Sequence, residues 1–83
     1  MNKIIVQVYI PVNSKTYDVR VPESMYVHDL TELLADIFSE SEKGFYYKSS
    51  VNILCLRKNG RILPQNRTLK ELDINNRASL MFV

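Results

Sequence analysis

Eighty-three residues with 46% apolar and 24% charged side chains make one small domain, residues 1–83, because a chain this short closes one core and buries about two-thirds of its surface. The net charge of +2, single cysteine, two glycines and three prolines exclude an internal disulfide framework, a low-complexity chain and a disordered polyelectrolyte. No apolar run approaches the roughly 18 residues of a membrane-spanning helix, so direct membrane insertion is not expected and a reducing, cytoplasmic location is.

The chain opens on Met1-Asn2-Lys3 and the apolar stretch Ile4–Ile10, which imitates a secretory leader but carries Gln7, ends at Pro11 and lacks a small-residue cleavage site. It reads instead as a strand over residues 3–10, in which Ile4, Val6, Val8 and Ile10 alternate with Lys3, Ile5, Gln7 and Tyr9. A turn at residues 11–15 leads to a second strand, Thr16 to Val21, with Tyr17, Val19 and Val21 on one face and Thr16, Asp18 and Arg20 on the other. The pair forms a hairpin that Pro22 ends, because proline has no amide to continue the ladder.

The period then changes. Val27, Leu30, Leu33, Leu34, Ile37 and Phe38 fall on one helical stripe, with Asp29, Glu32, Asp36 and Glu40 on the remaining face. Lys43 and Gly44 supply its stop. An aromatic connection, Phe45-Tyr46-Tyr47, precedes a third strand over Val51–Arg57. Asn59-Gly60 predicts a tight type I′ turn into a fourth strand at Ile62-Leu63, which Pro64 keeps short. Thr68-Leu69-Lys70-Glu71 is a capping box for a short helical turn, Asn75-Asn76 makes another turn, and Ala78–Val83 is a final strand. The order is ββαββ, a short helix, then β: an α+β chain.

The small net charge conceals a division. Residues 22–42 hold six carboxylates and no Lys or Arg, whereas residues 43–83 hold eight cations against Glu71 and Asp73. Such polarity orients a domain toward a partner, although a solvated helix face balanced by solvated loops accounts for it equally well.

The element order resembles the ubiquitin-like β-grasp, a mixed sheet with one long helix packed on one face. Asn59-Gly60-Arg61-Ile62-Leu63, Arg67-Thr68-Leu69 through Ile74, and Ser79-Leu80 with Val83 are similar to the ubiquitin pattern of glycine turn, "RTL", short helix and closing strand. Val19-x-Val21, Leu30-x-x-x-Leu34 and Gly44-Phe45 extend the likeness over nearly the whole chain. Two departures bear on function. Conjugated relatives continue into a tail ending in a glycine pair, but this chain stops at Phe82-Val83, so conjugation is not expected. The position matching the key aliphatic residue of ubiquitin's recognition patch is Arg57, so ordinary ubiquitin receptors should not bind. Among tail-less relatives the chain resembles the YukD and EsaB proteins of Gram-positive type VII secretion, through Thr16-Tyr17-Asp18-Val19-Arg20-Val21-Pro22. That resemblance implies a non-enzymatic, non-conjugated accessory protein docking on a cytoplasmic domain of a membrane ATPase or pseudokinase subunit.

The residues themselves offer little chemistry. His28 and Cys55 are the only histidine and cysteine, one on the helix and one pointing away from it, so they are not expected to pair for catalysis. No metal-ligand spacing or phosphate-binding glycine loop is present, and neither a cofactor nor an enzymatic activity is expected. A binding surface is the better candidate. With Val6, Val19, Leu54, Leu56 and Leu80 facing the helix, alternation sends Ile5, Gln7, Tyr9, Arg20, Ile53, Cys55, Arg57 and Met81 to the outer sheet face. Aromatic, Met and Arg side chains are the types interfaces favour. Tyr46 and Tyr47 are a second candidate, and the acidic helix face a third. Two alternatives stand beside the secretion reading. One is a free-standing ubiquitin-like interaction or regulatory module. The other is RNA or DNA binding through Arg57, Lys58, Arg61, Arg67 and Lys70 with a stacking tyrosine, against which the modest net charge argues.

Overall fold

A computed structural model describes residues 2–11, 14–41 and 53–83, residues 39–41 through their backbone only. The expected helix stop at Lys43-Gly44 and the Phe45-Tyr46-Tyr47 connection lie outside these residues. Alternation and period produce β1 (Lys3–Ile10), β2 (Lys15–Pro22), α1 (Val27–Ser41), β3 (Leu54–Leu56) and β4 (Ser79–Phe82). The sheet order is β2-β1-β4-β3. β1 and β2 pair as the expected antiparallel hairpin, from Lys3 opposite Pro22 to Ile10 opposite Lys15. β4 lies parallel to β1 and antiparallel to β3, so the sheet is mixed. A parallel pair needs a long crossover, and α1 lies within the stretch of chain that makes it.

Strand alternation decides the core. Ile4, Val6, Val8 and Ile10 of β1, Leu54 of β3, and Leu80 and Phe82 of β4 are buried on one side of the sheet, with Tyr17, Val19 and Leu56 packed against them. α1 contributes Val27, Leu30, Leu34, Ala35 and Phe38 to the same cluster. At one end, Phe38 stacks between Tyr17 at 5.1 Å and Phe82 at 5.7 Å between ring centroids, separations at which tilted and edge-on rings attract.

The helix face differs from its expected stripe. Leu33 and Ile37 are 37% and 39% exposed, and Thr31 and Ala35 are buried in their stead. The buried positions Val27, Leu30, Thr31, Leu34, Ala35 and Phe38 recur at spacings of three and four and make one stripe, and Leu33 and Ile37 fall on its edge. The Thr31 hydroxyl satisfies itself by donating to the Val27 carbonyl at 2.8 Å.

Two local expectations are also adjusted. The Asn59-Gly60 turn is not type I′, which needs positive φ at both residues. Only Gly60 has it, at 72°, and the Gly60 amide donates to the Leu56 carbonyl at 2.8 Å across a wider loop. The fourth strand reduces to a single bridge between Ile62 and Cys55, so the regular sheet has four strands among the described residues. The short helix after Thr68 is one turn, stopped by Asp73 at φ 60°. Its capping box forms as read: the Thr68 amide donates to Glu71 Oε1 at 2.9 Å, and the Glu71 amide to Thr68 Oγ1 at 3.1 Å.

That turn also anchors α1. The Val27 and His28 amides, which have no carbonyl within the helix to bond, donate to the Arg67 and Gln65 carbonyls at 2.9 and 3.1 Å. In return the Leu69 and Lys70 amides donate to Met25 and Glu23 carbonyls. Segment 65–70 therefore caps the helix in place of a side chain.

Candidate functional site

With one sheet face filled by α1, the other has no element over it among the described residues. Cross-strand register assembles a row on it. Tyr9 lies opposite Met81, Met81 opposite Cys55, and Cys55 opposite Ile62. Paired residues point the same way, so residues from β1, β4, β3 and the bridge segment share one stripe. A neighbouring row runs from Asp18 through Gln7 to Ser79, with the Arg57 amide donating to the Ser79 carbonyl at 3.2 Å. Ile5 pairs with Arg20 beyond it.

Within this face the side chains are graded by exposure. Ile62 is 62% exposed, the most exposed large apolar side chain among the described residues. Tyr9, Met81, Ile5 and Ile53 are half-buried, while Arg57 and Arg20 are exposed. The Arg57 guanidinium lies 4.2 Å from the Tyr9 ring centroid. A cation over a solvent-accessible ring is worth about 0.5–1 kcal/mol, and it holds Arg57 over the sheet. Arg57 thus presents a positioned cation beside an apolar row, where the likeness to ubiquitin's patch called for an aliphatic residue.

Cys55 does not join that surface as a contact residue. It points outward, but it is 3% exposed between Met81 and Ile62, and its Sγ lies 3.5 Å from the Met81 carbonyl. Burial pushes its thiol above the ordinary value, so it stays protonated and unreactive at neutral pH. The folded state holds this proton more tightly than the unfolded chain does. The associated stability is present below the ordinary thiol pKa and is lost as pH rises through the folded value.

Ile62 and Val83, exposed at 62% and 49%, were absent from the face assembled by alternation. Ile62 belongs to it because the bridge to Cys55 fixes its direction. Val83 belongs through paired bonds of 2.9 Å in each direction with Ile53. The available signal for Ile62 was its neighbour Leu63: if Leu63 enters the core, Ile62 must point away. Tyr46 and Tyr47, the second candidate surface, lie outside the described residues.

The other proposed constellations are dispersed. His28, on the helix, bonds Glu32 at 2.8 Å on the solvent side of α1, and α1 packs against the sheet face opposite to Cys55. Among the described residues there is no group of His, Cys, Asp and Glu fit to hold a metal ion. Of the cations considered for nucleic acid, Arg57 caps Tyr9, Lys70 sits 4.0 Å from Glu23, and Lys58 and Arg61 lie beside the Gly60 turn. Arg67 is exposed, and Tyr46 and Tyr47, the tyrosines considered for stacking, lie outside the described residues. No helix among the described residues is long and apolar enough to cross a membrane.

No protein-family description matches this chain, and no curated protein does. Solved structures do. The EccD5 ubiquitin-like domain from Mycobacterium xenopi superposes with a TM-score of 0.81 at 16% identity, covering 100% of this chain and 94% of that one. A chain of the MycP5-free ESX-5 inner membrane complex gives a TM-score of 0.79 at 20% identity over 98% of this chain and 20% of that larger one. A chain in a toluene 4-monooxygenase complex with the inhibitor 4-bromobenzoate gives 0.82 at 13% identity, covering 99% and 98%. Identities this low carry architecture and leave activity open. With the parallel β1–β4 pair, the antiparallel flanks and one helix on one face, the chain has the ubiquitin-like β-grasp fold.

Proposed function

We propose that this chain is a non-enzymatic accessory protein of a bacterial type VII secretion system, of the YukD and EsaB kind, acting as a single cytoplasmic domain. It docks through the outer sheet face onto a cytoplasmic domain of a membrane component, an ATPase or pseudokinase subunit. The observation that carries this reading is the open stripe of Tyr9, Met81 and Ile62 with Arg57 held at its edge. It combines an apolar centre with an aromatic residue and a positioned Arg, the composition of an interface hot spot. The architectural likeness to a ubiquitin-like domain and to part of an inner membrane complex supports the setting.

Co-purification with the cytoplasmic domains of the secretion components encoded beside this gene tests the reading. Arg57→Glu and Met81→Glu, each verified as folded by circular dichroism, are expected to lower recovery at least about tenfold, the effect of losing one hot-spot contact. Full recovery with both variants rejects the outer face. Absence of secretion genes from the neighbourhood rejects the setting and favours a second reading, a free-standing interaction or regulatory module. The oxygenase-complex chain supports that alternative, since it carries the same fold in a different context.

A further inference from the structure

A second feature meets the outer face only at Ser79. Beside β3, on the side toward which Leu56 points, an open groove of about 570 Å³ has Leu56, Leu72 and Ile74 along its floor. A recess of about 120 Å³ shares these three residues and adds Leu63, Pro64 and Arg61. Lys58, Arg61 and Arg77 rim the two, and Asp73 is the one acid lining them among the described residues. The wall is preformed. Asp73 and Arg77 hold φ values of 60° and 73°, the left-handed region that side chains disfavour. The strand β1 straps the loop in place: the Ile5 amide donates to Asn76 Oδ1 at 2.8 Å, and the Arg77 amide donates to the Ile5 carbonyl at 2.6 Å. A rigid groove loses little conformational freedom on binding.

The same chain carries the complementary shape and charge. Leu33 and Ile37, one turn apart, are exposed on the flank of α1, beside the exposed carboxylates Asp29, Glu32 and Asp36. No Lys or Arg occurs in the helix Val27–Ser41. Leucine and isoleucine on an acidic ridge match a leucine-floored groove with a basic rim.

We propose that this groove binds the acidic flank of α1 from a second copy of the chain. Leu33 and Ile37 enter against Leu56, Leu72 and Ile74, and the helix carboxylates meet Lys58, Arg61 and Arg77. Ridge and groove are different patches, so the contact is head-to-tail. The outer sheet face stays free, so this contact and docking through that face stand or fall separately.

Sedimentation velocity of the full chain over a concentration series tests the contact. Association is expected at about 50 mM salt and at least tenfold weakening at about 500 mM, where rim charges are screened. The groove variant Lys58→Glu/Arg61→Glu and the ridge variant Leu33→Gln/Ile37→Gln should each be monomeric alone. Mixed, they should form a 1:1 complex, since one keeps the ridge and the other the groove. Asp29→Lys, which removes no apolar contact, should weaken association in the same direction if the ridge variant proves poorly folded. A wild-type chain that stays monomeric at every concentration overturns the proposal and leaves the groove to another partner. Association unaffected by the groove variant, or a mixture that does not restore it, overturns it as well.

Discussion

Ile62 and Leu63 adjoin in sequence and face opposite ways: Leu63 is 4% exposed in the core cluster, and Ile62 is 62% exposed on the far side of the sheet. The same contrast runs along β1, where Val6 and Val8 are sealed beneath α1 while Gln7 and Tyr9 remain half-buried outside. The inner face gains its stability by removing apolar area from water, at about 25 cal/mol per Å². The outer face has a row of apolar atoms of similar type and no element over it among the described residues. Stability and the proposed docking surface therefore fall on alternate residues of the same strands. Because the period is two, each can change without disturbing the other.

The sharpest attempt to break that separation is Leu63→Glu. It places an unpaired carboxylate in the core at a cost of several kcal/mol, comparable with the roughly 5–15 kcal/mol that hold a small domain together. Loss of the cooperative urea transition is expected, and a native-like midpoint would show that Leu63 is not a core residue. Thr68→Ala tests the turn that caps α1. It removes the acceptor for the Glu71 amide, and the urea midpoint should fall by an amount corresponding to about 1 kcal/mol. Ile62→Glu should have the smallest effect, within about 0.5 kcal/mol of wild type. A large destabilisation there would mean that the outer row belongs to the core and is unavailable for docking.

Much of the fold was legible because its signals are local. The strand at residues 3–10 emerges with the expected bounds, and the hairpin and the start of α1 follow alternation and period. The capping box formed because both of its bonds join residues three apart. The helix face was misjudged at Leu33 and Ile37, since hydrophobic pattern ranks side chains by apolarity, whereas the direction of the helix toward the sheet turns Thr31 and Ala35 inward and leaves Leu33 and Ile37 on the edge of the stripe. The Gly60 turn was misjudged because Asn-Gly favours a two-residue loop, while the strand register placed the Leu56 carbonyl over the Gly60 amide. Of the candidate surface, directions were legible and exposures were not. Cys55 pointed outward as expected, but Met81 and Ile62 flank it and its thiol is covered.

The sequence by itself determined which residues alternate, where the helix begins, and that the charge divides between an acidic segment and a basic one. These depend on backbone period and composition, which each short stretch carries alone. Only the tertiary structure decided that β4 inserts beside β1, that the carbonyls of Gln65 and Arg67 cap α1, and that Arg57 lies over Tyr9. Each of these joins groups some forty to seventy positions apart. Their strength depends on distance and direction in space, which become fixed only when the core closes.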